Sequence, residues 1–256
     1  NTMKYLILGD VHADYSPFAR AVDFCESNDY HLISVGDLID NGPDGDKVVS
    51  TILRLLKSGK ATLVKGNHEH KIIRYLAGND VILGPPNMVT IDQFNAPGGD
   101  VFKNQFVTIV KNYAQDYVRL DQFNYIAHAG MDPKFWEADY QGEEITKKMI
   151  NTMMFGQADY AKQYEYRGQS YPHRIYDWVE YVPTGKRLFV GHDPAPLVQK
   201  PSFDNFQSKP EVYINDNGGE IIFLDCGAGK GGNLFGAVLN TDTNIVEEIV
   251  NFSNEH

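Results

Sequence analysis

Tyr5-Leu6-Ile7-Leu8-Gly9-Asp10-Val11-His12 places an apolar run directly before a glycine and two side chains that bind cations. The same arrangement returns in His31-Leu32-Ile33-Ser34-Val35-Gly36-Asp37-Leu38-Ile39-Asp40 and in Thr62-Leu63-Val64-Lys65-Gly66-Asn67-His68-Glu69. Each apolar run has the length and branched content of a buried strand, so three successive strands end in a glycine followed by oxygen and imidazole donors. Asp10 and Asp37 lie 27 positions apart, and Asp37 and Asn67 lie 30 apart, which is the length of strand–helix–strand units. A parallel α/β sheet collects its binding groups outside the carboxyl ends of its strands. The three stretches are therefore expected to converge on one site.

The intervening segments read as crossover helices. Ser16-Pro17 supplies an N-cap and a first helical residue, after which Phe18, Val22 and Cys25 recur on one face. Val48, Val49, Ile52, Leu53, Leu55 and Leu56 form a second stripe that stops at Gly59. The first 78 residues thus read as βαβαβα. From Asn79 to Asn124 the pattern weakens, broken by Gly-Pro-Pro at 84–86 and Pro-Gly-Gly at 97–99, with a helix expected over Val101–Tyr113. Tyr125-Ile126-Ala127 and Leu188-Phe189-Val190 are two more strands, and they deliver His128 and His192. Between them come a helix around Ile145, Met149, Ile150 and Met153 and an irregular, tyrosine-rich stretch from Tyr160 to Tyr181. The last fifty residues read as short strands with a hairpin at Asn217-Gly218-Gly219 and a turn at Asn240-Thr241-Asp242, a mainly antiparallel second sheet. The expected architecture is α/β, two mixed β-sheets packed face to face as a sandwich with helices on the outer faces. It is expected to form one domain over 3–256, with insertions at 79–124 and 131–183 near the active site.

Asp, Asn and His without thiolate suit two hard or borderline divalent cations, manganese first, with iron, zinc or nickel also compatible. Two such ions about 3.5–4 Å apart neutralise charge on a transferring phosphoryl group and activate a water. Asp37 is placed to bridge them. Asp10 and His12 would complete one site, and Asn67, His128 and His192 the other. His68 could protonate the leaving oxygen, with Asp40 orienting its imidazole.

The net charge of −11 argues against non-specific nucleic-acid binding, which relies on many cations. No apolar run approaches the roughly 18 residues of a membrane span, and nothing resembles a secretion signal, so a cytoplasmic protein is expected. Asn1-Thr2 reads as an addition ahead of Met3. The two cysteines, Cys25 and Cys226, are expected to be core fillers and not a disulfide. The glycines of 227–232 do not form a phosphate loop, because Lys230 is followed by Gly231.

Taken together, Gly-Asp-Val-His, Gly-Asp-Leu-Ile-Asp-Asn-Gly-Pro, Gly-Asn-His-Glu, His-Ala-Gly and Gly-His-Asp-Pro resemble the calcineurin-like metallophosphoesterases, in particular the phosphoprotein phosphatase branch. Within it the chain is most similar to bacterial and phage members: lambda-type protein phosphatases, symmetrical dinucleoside tetraphosphatases and the phosphatase module of bacterial polynucleotide kinase-phosphatases. The resemblance implies that Asp225 is an acid of the active site or one that supports its ligands from behind, near His192. It also marks a departure, since Asn41 stands where the family has a phosphate-clamping arginine; Arg174 is the first candidate to replace it, followed by Arg167 and Lys65. Ala13 replaces a family glycine. The expected activity is hydrolysis of phosphomonoesters, as in protein Ser/Thr phosphatases, on a phosphorylated peptide or small phosphoester. The alternatives are hydrolysis of dinucleoside polyphosphates or RNA-end phosphates and, from another class, a metal-binding protein that has lost catalysis.

Overall fold

The computed structural model describes residues 3–166, 169–196 and 206–254. The chain opens with β1 (Lys4–Leu8), α1 (Tyr15–Asn28), β2 (His31–Ser34), α2 (Gly45–Lys57), β3 (Ala61–Val64) and α3 (Asn67–Leu76). Then come α4 (Pro85–Asn95), α5 (Gly99–Thr108) with a π-helical turn at its end, β4 (Ala114–Gln115), β5 (Val118–Arg119) and β6 (Asn124–Ile126). After α6 (Phe135–Gln141) and α7 (Lys147–Phe155), β7 (Gln157–Tyr166) and β8 (Gln169–Ile175) form a hairpin. The remaining strands are β9 (Arg187–Val190), β10 (Glu211–Ile214), β11 (Glu220–Phe223), β12 (Asp225–Cys226), β13 (Asn233–Asn240) and β14 (Ile245–Asn251).

Two mixed sheets result. One has the order β12-β13-β1-β2-β3-β4, with β14 also on β13, and its β1 to β4 run parallel; the other is β10-β11-β9-β6-β5. Side chains alternate across each strand, and that alternation builds the layers. Ile7, Ile33 and Val64 point to the interior between the sheets, where they meet Ile126, Phe189 and Ile222. Their neighbours Leu6, Leu8, Leu32 and Leu63 face outward under the helical layer that contains Phe18, Val48, Ile52 and Phe106. On the far side Tyr125, Leu188, Val190 and Phe223 are covered by Phe135, Trp136, Met149 and Met153. Both cysteines are buried and free.

Three expectations change. The late strands do not share one sheet: β10 and β11 extend the second, where β11 pairs with β9 in parallel, while β12, β13 and β14 close the first. The tyrosine-rich stretch is a hairpin; its register slips between Asp159 and Gln163, which interrupts the two-residue period that would have marked it as strand. Gly-Pro-Pro does not break a pattern but opens α4, with proline in the first helical position, where its missing N–H costs nothing. No helix among the described residues is long and apolar enough to cross a membrane.

Candidate dinuclear metal centre

The ends of β1 and β2 are stitched together by main-chain groups, and a buried side chain adds the end of β3. The Asp37 carbonyl accepts from the N–H groups of Val11 and His12 at 3.1 and 2.9 Å, and Ala13 N–H donates to the Leu38 carbonyl at 2.8 Å. Glu69, fully buried, accepts from the N–H groups of Asp37, Leu38 and Gly66 at 2.6, 3.1 and 3.2 Å, tying the third strand end to the second. These turns demand left-handed backbone at His12, Ala13, Asp37, Asp40, Asn41 and His192. Each such residue costs about 1–2 kcal/mol, a strain that tends to gather where side chains must be aimed. At Ala13 it explains the family's glycine. Two glycines serve a different need, for space. A Cβ at Gly66 would sit 2.1 Å from Asp37 Oδ1, and one at Gly191 would sit 2.1 Å from Asp10 Oδ1.

Two donor clusters face each other across Asp37. His12, Asp37 and His68 form one, and Asp37, His128 and His192 the other, with the donor atoms in each within 4.8 Å of one another. Asp10 Oδ2 and Asp37 Oδ2 both lie 3.7 Å from His12 Nε2, so Asp10 adjoins the first cluster. Asn67 Oδ1 adjoins the second, 3.0 Å from His128 Nε2 and 3.1 Å from His192 Nδ1. The outward ring nitrogens are anchored. His12 Nδ1 lies 2.9 Å from the Ile39 carbonyl and His128 Nδ1 2.7 Å from that of Val35. A carbonyl can only accept, so Nδ1 carries the proton in both rings and Nε2 is left with its lone pair facing the cluster. His68 Nδ1 lies 2.6 Å from Asp40 Oδ2, and its Nε2 lies 3.9 Å from Asp37 Oδ2.

The charges fit divalent cations. Burial, then the negative charges of Asp225 and Asp37, push the Asp10 carboxyl well above its ordinary range. Asp225 is raised by burial too, and its Oδ2 is buried without a hydrogen-bond partner. Carboxylates crowded this closely call for positive charge between them. Burial, then the charges of Lys230 and His68, drives His12 well below its usual value, and burial with Arg174 does the same to His192. Neutral imidazole is the form that binds metal. Asp37, despite its burial, is held well below the carboxylate range by His128 and His68.

The other expected residues are spread around this centre. Asp225 lies beside Asp10, as its effect on that carboxyl requires. Arg174, on β8, is 2.9 Å from Asp193 Oδ1 and brings its charge to His192. The Asn41 amide nitrogen lies 3.3 Å from His12 Nδ1. Lys65 pairs with Asp116 at 3.8 Å. Arg167 lies outside the described residues. Lys230, given little weight in the sequence, does reach the site electrostatically, because Gly229 packs against the main chain of His12. Glu69, Asn87 and Thr90 went unassigned, and only Glu69 carried a signal, its place in Gly-Asn-His-Glu.

The calcineurin-like phosphoesterase profile matches residues 3–223. The chain belongs to that family. This phosphoesterase is 27% identical over 210 residues to the asymmetrical bis(5'-nucleosyl)-tetraphosphatase PrpE of Anoxybacillus flavithermus, a match that covers 75% of the chain and 80% of the relative. It is 30% identical over 213 residues to PrpE of Bacillus subtilis, with the same coverage. Among solved structures, one provisionally identified as a diadenosine tetraphosphatase superposes with a TM-score of 0.57 at 18% identity, covering 98% of this chain and 94% of the other. A Saccharomyces cerevisiae protein serine/threonine phosphatase gives 0.56 at 15% identity, covering 100% and 81%. At those identities the likeness is one of fold. Fold and paired donor clusters together make the chain a metal-dependent phosphoester hydrolase.

Proposed function

We propose that this phosphoesterase cleaves a phosphoanhydride bond in a nucleotide substrate, with dinucleoside polyphosphates as the class. The observation that carries this choice is kinship: relatives matched over about four-fifths of their length are named as asymmetrical bis(5'-nucleosyl)-tetraphosphatases. The reading moves the balance from phosphomonoesters to the nucleotide alternative. It also accommodates Asn41, since a nucleotide leaving group departs more readily than a serine alkoxide and needs less help from a clamping cation.

In this reading Asp10, His12 and Asp37 hold one divalent ion, and Asp37, Asn67, His128 and His192 hold the second, with manganese the expected metal. When bound, the pair supplies neutralisation of the phosphate and an acidified water. The remaining work falls to the chain. Asp37 stays ionised and is shared between the clusters. Ile39 and Val35 keep His12 and His128 in the tautomer that binds. His68, its Nδ1 proton held by Asp40, donates from Nε2 to the departing oxygen. Arg174 and Lys230 bring positive charge to either flank of the centre, where a chain of phosphates would lie. Tyr164 and Tyr171, stacked at 5.7 Å between ring centroids on the hairpin that carries Arg174, offer an aromatic surface for a base.

The test is to incubate the protein with manganese, magnesium, zinc or nickel and diadenosine tetraphosphate, p-nitrophenyl phosphate or a phosphothreonine peptide, and to separate the products. Manganese-dependent formation of AMP and ATP, exceeding turnover of the other two, is expected. Asp37→Asn should lower it by several kcal/mol, at least about a thousandfold, with loss of bound metal. Faster release of phosphate from the peptide than from the nucleotide would overturn the assignment.

A further inference from the structure

Asp40 is wholly buried, and its carboxylate is surrounded by donors from a helix about fifty residues away in the chain. Besides His68 Nδ1, Asp40 Oδ2 accepts from Asn87 Nδ2 at 2.7 Å, and Oδ1 accepts from Thr90 Oγ1 at 2.6 Å. Neither donor can be exchanged for something else locally. Asn87 Oδ1 accepts from Gly84 N–H at 2.9 Å, which fixes the amide so that its NH2 must face Asp40. Thr90 Oγ1 accepts from Asp40 N–H at 3.1 Å, so its single proton is aimed at Oδ1. Asn87 and Thr90 are 3% and 1% exposed, beyond the reach of solvent. The Pro86 carbonyl also accepts from Asn41 N–H at 3.2 Å, so the first turns of α4 grip both the main chain and the carboxylate of this left-handed turn.

From this we infer that Asn87 and Thr90 are positioning residues for proton delivery: they fix the plane of the Asp40 carboxylate, and through it the tautomer and direction of His68. The carboxylate has two oxygens and both are engaged, so it cannot rotate about its Cβ–Cγ bond without breaking a buried hydrogen bond. With Oδ1 unpaired, the carboxylate is free to rotate about its Cβ–Cγ bond, and Oδ2 then no longer stays in line with His68 Nδ1–H. The segment 79–124, expected as an insertion near the active site, thus contains the support of the catalytic pair. The inference rests on the proton-donor role proposed above for His68.

The experiment compares Thr90→Val, which keeps shape and removes the hydroxyl, with Thr90→Ser, which keeps the hydroxyl, and with His68→Asn. Two readouts are needed. In the metal-free protein labelled with 15N-histidine, long-range proton–nitrogen spectra report which His68 nitrogen bears the proton. Wild type and Thr90→Ser should show protonated Nδ1, and Thr90→Val should show a mixture. In the manganese-loaded enzyme, aryl phosphates of graded leaving-group basicity report the need for a proton. Thr90→Val should lose activity about ten- to a hundredfold on the most basic leaving groups, the range for a displaced outer partner. It should lose little on p-nitrophenyl phosphate, whose leaving group departs unaided. His68→Asn should show the same steepening on a larger scale, on the order of 10²–10⁴. Should Thr90→Val not fold, Asn87→Ala removes the other donor and is read in the same way. A flat response in His68→Asn would remove the proton-donor role itself. Steepening in His68→Asn, with neither the spectrum nor the leaving-group slope altered in Thr90→Val, would overturn the positioning role alone.

Discussion

The α4–α5 segment and the β7–β8 hairpin both adjoin the metal centre, and they stand in opposite relations to it. The first is built into the molecule. Ile91, Phe94, Phe102 and Phe106 share a core with β1 and α2, and the Phe94 ring lies 4.7 Å from Phe102 and 5.8 Å from Phe106. The hairpin turns much of its surface outward, with Tyr160 74% exposed, and it meets the centre through Arg174 and its pairing with Asp193. In the reading proposed above, one segment holds the proton-donating pair and the other faces the substrate. Reshaping substrate choice should therefore be inexpensive in stability on the hairpin and ruinous on α4.

Phe106→Ala should produce the largest effect on this contrast. It empties a fully buried site and should lower unfolding free energy by about 3–5 kcal/mol, read from the urea midpoint. Activity should fall with it, as the support of Asp40 loosens. Arg174→Ala should lower the midpoint less than Phe106→Ala, by the loss of its pairing with Asp193, and reduce kcat/KM for a nucleotide polyphosphate about tenfold to a hundredfold, the worth of one hydrogen bond to a charged group. The loss should shrink at high salt. If this variant instead melts like Phe106→Ala, the hairpin is as structural as α4. Smallest of all, Tyr164→Ala should change KM for a base-bearing substrate by about 0.5–1.5 kcal/mol, with p-nitrophenyl phosphate hydrolysis unmoved. Equal effects on both substrates would deny the tyrosines any contact with a base.

The same contrast explains what could be read from the sequence. Asp10, His12, Asp37, Asn67, His128 and His192 stood out because metal chemistry accepts few residue types and because each follows a short, largely branched apolar run that reads as a buried strand. Asn87 and Thr90 did not, because asparagine and threonine are ordinary in any helix, and their partner lies 47 and 50 positions away. Lys230 looked like part of a glycine-rich connection until the packing of Gly229 on His12 showed which way the loop lies. The division of the late strands between two sheets was also hidden. Alternation states which face of a strand is buried, but a strand of four apolar residues such as β11 fits beside a parallel or an antiparallel neighbour equally well.

Gly66 and Gly191 bear on whether the motifs of this chain are separable parts. Neither glycine is needed for a left-handed turn of its own. Gly66, in the third motif, is the clearance for Asp37 of the second; Gly191, in the last, is the clearance for Asp10 of the first. The motifs are thus interlocked pairwise, each leaving a gap shaped by another. A designer moving this centre to a new scaffold could not graft one strand end at a time, since an isolated Gly-Asp loop brings its carboxylate without the hollow that receives it. The smallest portable unit is a pair of neighbouring strand ends. By the same logic, an alanine at either glycine should do its damage at an aspartate far away in the sequence.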